Sequence, residues 1–313
     1  MSALSINTVV TVVGIIFLVA VCDRKVTGKQ TMQEKEARYA VAVKPTPVLN
    51  TPDFSSVFGG NDGKTLKLNP KKHVEEVEFI ALPGSVFTIE KTVSKGSHEI
   101  LKVKTEDYPY EKQKGYYIDS RFVEKKVERP AGRKKNLPDK DTIINRLLAA
   151  KGAIYVWGGN YVRGIPEMLE FYPVRKKAPS ELSNGADQLS DDIRDRWILK
   201  GVDCSGLLYE ATDGYIPRNV ESLFNYGSPV DVKGMSPEEI VKKLRPLDII
   251  VYQRHMVIVL SSRDAIESSM AHGVHIISLT GRLDALGKNM IPVDDYKKDE
   301  GSDKFVARRW YSE

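Results

Sequence analysis

Cysteine is nearly absent from this sequence: only Cys22 and Cys204 occur among 313 residues. The two lie far apart in very different contexts, so we expect no disulfide framework. No CxxC pair is present, which argues against a structural zinc site. Hydrophobic residues make up 41% of a chain that is long enough to bury a sizeable core without metal or disulfide. We therefore predict a globular protein that needs no cofactor.

The excess of one charge is also small, since 47 Lys and Arg stand against 42 Asp and Glu, a net charge of +5. Much of the basic excess lies in residues 124–140. This run is typical of a solvated linker, and attraction to an anionic polymer or a membrane surface is the alternative. No base-reading motif is present, so nucleic acid is not an expected partner.

An uncharged run lies near the N-terminus, where residues 9–22 read VVTVVGIIFLVAVC and Asp23 follows. The run is short for a complete membrane span but fits a signal peptide or a membrane anchor over residues 1–22. Cys22 stands where a bacterial lipoprotein would be cut and lipidated, which makes it a candidate lipidation site. We predict export to the cell envelope, with the protein either periplasmic or held at the membrane by this segment.

Changes of composition divide the rest of the chain. Residues 23–70 carry loop chemistry and are predicted to be a linker. Residues 71–128 hold short runs of β-branched and aromatic residues separated by turn signals, which predicts a small β-barrel. Residues 129–139 are predicted to be a second linker. Residues 140–313 show helix patterns followed by strand patterns, which predicts an α+β domain.

Two helix starts in the second half carry capping signals. Asp141 precedes the apolar pattern TIINRLLAAKG and is a candidate N-cap. Ser236 precedes PEEIVKKL and has Glu239 three residues later, which predicts a capping box.

The stretch GVDCSGLLYE places Cys204 between an extended segment and an apolar helix. A thiol at a helix N-terminus lies in the positive end of the helix dipole, which favours the thiolate and predicts a lowered pKa. The free N–H groups of the first turn can also hold an oxyanion. Cys204 is therefore a candidate nucleophile, and an inert buried cysteine is the alternative.

A cysteine nucleophile needs a base within hydrogen-bond reach and a group that orients that base. His255 begins the strand pattern HMVIVL, which would anchor it at a strand end. Glu267 lies on the next strand pattern, where its carboxylate could accept a hydrogen bond from the imidazole. His272 and His275 are alternative partners.

Five segments follow one another in the second half of the chain: YVWGG from Tyr155, DCSGL from Asp203, IPR from Ile216, RPLDII from Arg245 and HMVIVL from His255. Their order resembles that of the NlpC/P60 cysteine peptidases over residues 140–280, and the set of motifs in order makes the resemblance specific. Residues 115–123 also resemble the last strand of bacterial SH3-like modules, which commonly precede the catalytic domain in that family.

The resemblance implies a papain-like fold, with helices packed on an antiparallel sheet and a small SH3-like β-barrel ahead of it. It also implies an endopeptidase acting on peptidoglycan stem peptides, between D-γ-glutamate and a diamino acid that is usually meso-diaminopimelate. By position, Cys204 is the implied nucleophile and His255 the implied base. Glu267, twelve positions later, is the implied third residue, where the family more usually has histidine.

Other implied features concern the substrate cleft. Asp203, Ser205 and Tyr155 are implied to line it. An insert over residues 161–200 separates two motifs that are closer together in relatives, and long insertions of this kind often cover a cleft or contact a substrate. The alternative to an active endopeptidase is a catalytically weak or inactive peptidoglycan-binding protein of the envelope.

Overall fold

The computed structural model describes residues 36–60, 63–95, 98–110, 115–174, 189–298 and 303–312. The predicted signal or anchor over 1–22 lies outside these ranges, and so does Cys22. Among the residues that the structure describes, none of the helices has the length and apolarity needed to cross a membrane.

The first half of the described chain is built on an antiparallel sheet. Seven strands pair in the order β5-β2-β8-β7-β6-β1-β9, and β3 and β4 form a separate pair. A single turn of 3-10 helix, Ser120–Phe122, joins β8 to β9. The elements are β1 (Tyr39–Ala42), β2 (Thr46–Leu49), α1 (Phe54–Val57), β3 (Phe58–Gly59), β4 (Thr65–Leu66), β5 (Val77–Ala81), β6 (Val86–Lys95), β7 (His98–Lys104), β8 (Tyr116–Asp119) and β9 (Val123–Lys126).

The predicted linker over 23–70 is wrong for residues 39–66, which hold four of these strands. β1 lies between β6 and β9 in the sheet, and β2 lies between β5 and β8. Each of the two is only four residues long, which is too short for hydrophobic alternation to outweigh the proline signals around them. The β-rich region therefore begins before residue 71, and its relation to SH3-like modules stays a prediction.

The second half is the α+β arrangement that the sequence predicts. Its main sheet has the order β12-β18-β13-β14-β15-β16, with every neighbouring pair antiparallel, and β17 pairs with β18 in parallel. The elements are α2 (Lys140–Ala149), β10 (Asn160–Tyr161), α3 (Glu167–Phe171), α4 (Asp191–Trp197), β11 (Gly201–Val202), α5 (Cys204–Ala211), α6 (Val220–Leu223), β12 (Ser228–Val230), α7 (Pro237–Lys243), β13 (Ile249–Tyr252), β14 (His255–Val259), β15 (Asp264–Ser269), β16 (Gly273–Ser278), α8 (Leu279–Gly287), β17 (Ile291–Pro292) and β18 (Lys304–Arg309).

Side chains alternate across this sheet and fill two cores. Met256 and Ile258 of β14 face the core that contains α5. Val257 and Val259 face the core that contains α7 and α8. This period of two is that of a strand covered on both faces, which explains why HMVIVL is almost continuously apolar.

The helix starts agree only in part with the predicted caps. The capping box of Ser236 and Glu239 is confirmed at the start of α7. The cap of α2 is Asp139 and not Asp141, because Asp139 has extended backbone angles and its side chain accepts from the Thr142 N–H at 2.8 Å. The segment 129–139 has no helix or strand, as expected for a linker.

The described residues of the insert over 161–200 pack against the first half of the chain. Trp197 and Leu199 are fully buried in one core with Phe54 and Phe58. Tyr172 donates its hydroxyl to Asp119 of β8. Residues 36–313 accordingly cluster as one compact unit, so the predicted boundaries at 128 and 140 do not separate two independent domains.

Candidate active site around Cys204, His255 and Glu267

Cys204 is the first residue of α5, as the DCSG motif predicts. Asp203 is the N-cap and accepts from the Gly206 N–H at 2.7 Å. A Cβ at Gly206 would lie 2.0 Å from the Gly159 carbonyl oxygen, so only glycine permits the first turn to approach the YVWGG segment this closely. From the other side, the Ser268 hydroxyl of β15 donates to the Val202 carbonyl at 2.7 Å. These contacts fix the helix start against the sheet.

Arg218 is the buried residue that holds this helix start together, and the sequence argument did not single it out as a functional residue. Its guanidinium donates to both carboxylate oxygens of Asp203, at 3.0 and 2.7 Å. It also donates to Ser205 Oγ at 2.9 Å and to Asn160 Oδ1 at 2.9 Å. The sequence around Arg218, IPRNV, carries no signal of burial, so its pairing with Asp203 becomes visible only in the fold.

The polar atoms of Asp203 and Ser205 are therefore turned towards Arg218. Asp203 accepts from Arg218 and the Gly206 N–H, while Ser205 donates its one hydroxyl proton to the Arg218 carbonyl at 2.8 Å. These bonds stabilise the helix start. The contact of both residues with a substrate stays a prediction.

The predicted lowering of the Cys204 pKa is wrong for this conformation. Burial, followed by the negative charge of Asp203, raises the pKa of the thiol to about 12. The charge of Arg218 and backbone N–H groups of Ser205 and Met256 oppose the rise but do not cancel it. Cys204 is only 6% exposed, so the helix field acts against a large loss of hydration. The thiol is neutral at pH 7 in this state.

The sulfur of Cys204 lies beside the backbone of residues that flank His255. Its Sγ is 3.9 Å from the Arg254 carbonyl oxygen, and the Met256 N–H also interacts with it. Arg254 has a φ of 64°, in the turn that joins β13 to β14. His255 follows that turn as the first residue of β14, so the N-terminus of α5 lies beside the backbone at the start of that strand.

The His255 ring is bonded to Glu267. Nε2 lies 3.0 Å from Glu267 Oε2, and an ionised carboxylate only accepts, so Nε2 carries the proton. The Tyr252 ring stands edge-on to the imidazole at 5.4 Å between centroids. Within the described residues Nδ1 of His255 has no hydrogen-bond partner. It therefore carries the lone pair of the ring.

Glu267 is almost completely buried, at 1% exposure, and is held as an anion. Burial by itself would raise its pKa, but the hydrogen bond from His255 and the charges of His255, Arg282 and His275 hold the pKa below its usual value. Arg282 of α8 donates to the second carboxylate oxygen. His272 instead lies with its ring 5.2 Å from that of His275. The contact between His255 and Glu267 exists, while the catalytic role of each stays a prediction.

Tyr155 lies close to the same helix start. It bridges Val202, and burial together with the nearby Asp203 and Cys204 raises its pKa. Its ring is 5.4 Å from that of His73, which comes from the first half of the chain and was missed by sequence reasoning. Nε2 of His73 lies 3.2 Å from the Met270 sulfur at the end of β15. Among the described residues, no three metal-binding side chains come together.

Comparison with known proteins gives distant similarities. No family model matches the chain, and no curated protein matches it. An NlpC/P60 family protein from Bacillus cereus ATCC 10987 is similar in structure, with a TM-score of 0.32, 15% identity, and coverage of 88% of this chain. The chain spans 63% of the length of that protein. The P60 domain of an antigen from M. avium paratuberculosis is also similar, with a TM-score of 0.27, 18% identity, and coverage of 44% of this chain and 82% of that domain. Both structural neighbours are NlpC/P60 proteins, at similarities too low to establish a shared fold.

Proposed function

We propose that this chain is a cysteine peptidase that hydrolyses peptidoglycan stem peptides, at the bond between D-γ-glutamate and a diamino acid. One observation carries the proposal. The thiol at the start of α5 lies beside the backbone around His255, whose other ring nitrogen is committed to the buried anion of Glu267. These contacts support the roles of nucleophile, base and orienting acid that the motif order implies for Cys204, His255 and Glu267.

The mechanism follows from these positions. Nδ1 of His255 takes the thiol proton, and the thiolate sulfur bonds to the scissile carbonyl carbon. The developing oxyanion accepts from the Cys204 N–H and a neighbouring donor at the start of the helix. When the intermediate collapses, the carbon–nitrogen bond breaks and the imidazolium protonates the leaving amine. His255 then takes a proton from water, and the water oxygen bonds to the thioester carbon. The carbon–sulfur bond breaks, and the imidazolium returns the proton to sulfur.

Burial of Cys204 adds a requirement to this mechanism. Because Cys204 is only 6% exposed, we expect side chains around the helix start to move before a substrate reaches its sulfur. The raised thiol pKa falls when Asp203 is screened or when the thiolate pairs with the His255 imidazolium, so we expect proton transfer within the substrate complex.

The test uses purified peptidoglycan and defined stem peptides, with and without a free amino-terminal alanine. Mass analysis of the fragments identifies the bond that is cut. We expect the wild-type protein to release peptides cut after D-γ-glutamate, and Cys204→Ala to release none. Cys22→Ala is the matched control and keeps the wild-type rate. Cleavage at another bond would contradict the substrate, and equal cleavage by Cys204→Ala would contradict the mechanism.

A second candidate is a catalytically weak peptidoglycan-binding protein, and the burial and raised pKa of Cys204 favour it. In that case wild type and Cys204→Ala would bind sedimented peptidoglycan equally and neither would release fragments. Export to the envelope is a further proposal, based on the uncharged run that ends at Cys22. Cell fractionation, with the mass of the processed N-terminus, tests both export and lipidation.

A further inference from the structure

Glu267 divides its two carboxylate oxygens between two sets of partners. Oε2 faces Nε2 of His255 at 3.0 Å. Oε1 accepts from Nη2 of Arg282 and lies 3.3 Å from Nε2 of His275. With 1% exposure, the carboxylate is oriented by these partners and not by water. Arg282 comes from α8 and lies outside every motif of the sequence argument.

We propose that Arg282 is a positioning residue: by occupying Oε1 it commits Oε2 to His255 and so fixes the histidine tautomer that offers Nδ1 to the thiol. The proposal rests on the peptidase function proposed above, but its physical content is a tautomer, which is measurable without substrate. Arg282 reaches Glu267 through Nη2, while its Nε is buried without a partner among the described residues. A single ammonium group is therefore able to replace it at this contact.

The variant Glu267→Gln reveals the role of Arg282. An amide has one accepting side and one donating side, whereas a carboxylate accepts on both. With Arg282 present, the amide oxygen must face the guanidinium, so the NH2 group faces Nε2 of His255. That nitrogen then has to accept, its proton moves to Nδ1, and the ring no longer takes the thiol proton there.

Removing Arg282 in addition frees the amide to turn over. Its oxygen then accepts from the Nε2–H of His255, as Glu267 does. The NH2 group faces Nε2 of His275, which is able to accept because Nδ1 of His275 lies 3.0 Å from the Gly273 carbonyl and donates to it. The Nε2 atoms of His255 and His275 then each meet a complementary group of the amide. The loss of a positively charged residue is thus expected to repair the effect of the first substitution.

The experiment compares Glu267→Gln with Glu267→Gln/Arg282→Met. We expect kcat/KM of Glu267→Gln to fall by at least about 100-fold, as a wrong tautomer does in other nucleophile–histidine–acid sites. The double variant recovers at least about ten-fold over Glu267→Gln, a coupling well above additivity. Glu267→Gln/Arg282→Lys stays as impaired as Glu267→Gln, because the ammonium donates in place of the guanidinium. Glu267→Gln/Lys288→Met, which removes an exposed cation at the end of the same helix, also stays impaired.

A second measurement reads the tautomer directly. Ring 15N shifts of His255 in the folded protein are expected to report a proton on Nε2 in wild type, on Nδ1 in Glu267→Gln, and on Nε2 again in the double variant. A proton on Nε2 in Glu267→Gln, or on Nδ1 in the double variant, would overturn the proposal. If the tautomers behave as expected but wild type cleaves no stem peptide, the positioning role stands and the proposed function fails.

Discussion

The two ends of α5 place a carboxylate in opposite environments. At the N-terminal end, Asp203 caps the helix and forms an ion pair with the buried Arg218 at 2.7 Å. At the C-terminal end, Glu210 accepts from the Val162 N–H at 2.9 and 3.1 Å and forms no ion pair with the described residues. Glu210 borders a cavity of about 490 Å³ that is also lined by Arg146 and Leu82.

The difference teaches that the charge of a buried acid such as Glu210 is disfavoured where no cation pairs with it. The positive end of the helix dipole favours an acid at Asp203, and the negative end disfavours one at Glu210. Burial raises the pKa of Glu210 to about 7, and the Val162 N–H, Arg163 and Arg146 oppose the rise only in part. The cation that pairs with a buried acid of α5, Arg218, thus lies at the end of the helix that carries Cys204.

Removing the cation at the N-terminal end is expected to have the largest effect. Arg218→Met leaves Asp203 buried and unpaired, so the free energy of unfolding should fall by about 3–5 kcal/mol. Urea unfolding measures the change. Arg129→Met, which breaks the exposed pair with Glu106, is the matched control and is expected to change nothing measurable. An equally small loss for both variants would remove the contrast between the two ends.

A smaller effect is expected at the C-terminal end, and its sign is opposite to that of an ion-paired acid. The folded-state pKa of Glu210 is raised from 4.5 to about 7. The stability that Glu210 contributes is therefore present below pH 4.5 and lost as the pH rises through about 7. Glu210→Gln keeps an acceptor for Val162 but cannot ionise, so it should gain about 3 kcal/mol over wild type at pH 8 and nothing at pH 4.

Thermal denaturation at the two pH values tests this expectation. Glu221→Gln, at an exposed position of α6, is the control and should follow wild type at both. A gain for Glu210→Gln that is the same at pH 4 and pH 8 would mean that ionisation is not its cause.

The smallest expected effect concerns the thiol. Asp203→Asn removes the negative charge beside Cys204, so the thiol pKa should fall while burial still keeps it raised. The pH profile of iodoacetamide alkylation then moves to lower pH. Asp213→Asn, just beyond the other end of α5, should leave the profile in place. A profile that does not move in Asp203→Asn would leave burial as the sole cause of the raised pKa.

The sequence predicted the parts of the structure that depend on local patterns. The α+β arrangement of the second half and the capping box of α7 follow from short-range periodicity and cap chemistry. The contact between His255 and Glu267 was one of the alternatives that the strand pattern allowed, and the family resemblance selected it. It forms because β14 and β15 are neighbours and Ile258 pairs with Ile266. Adjacent antiparallel strands bring such positions together wherever the connection is short.

What the sequence did not predict depends on distant contacts. β1 finds its place only through β6 and β9, which follow it by dozens of residues. Arg218 and Arg282 are functional candidates only because the fold aims them at Asp203 and Glu267. The thiol pKa was mispredicted for the same reason, since the depth of Cys204 and the charge facing it are set by packing and not by its place in the helix.

The core shared by Phe54, Phe58 and Trp197 limits which segments related proteins could exchange. The first half of the described chain and residues 189–200 complete each other's interior, so neither could be exchanged with a relative's counterpart without leaving large aromatic side chains facing water. Recombination between relatives would have to carry both segments together, although more than a hundred residues separate Phe58 from Trp197 along the chain.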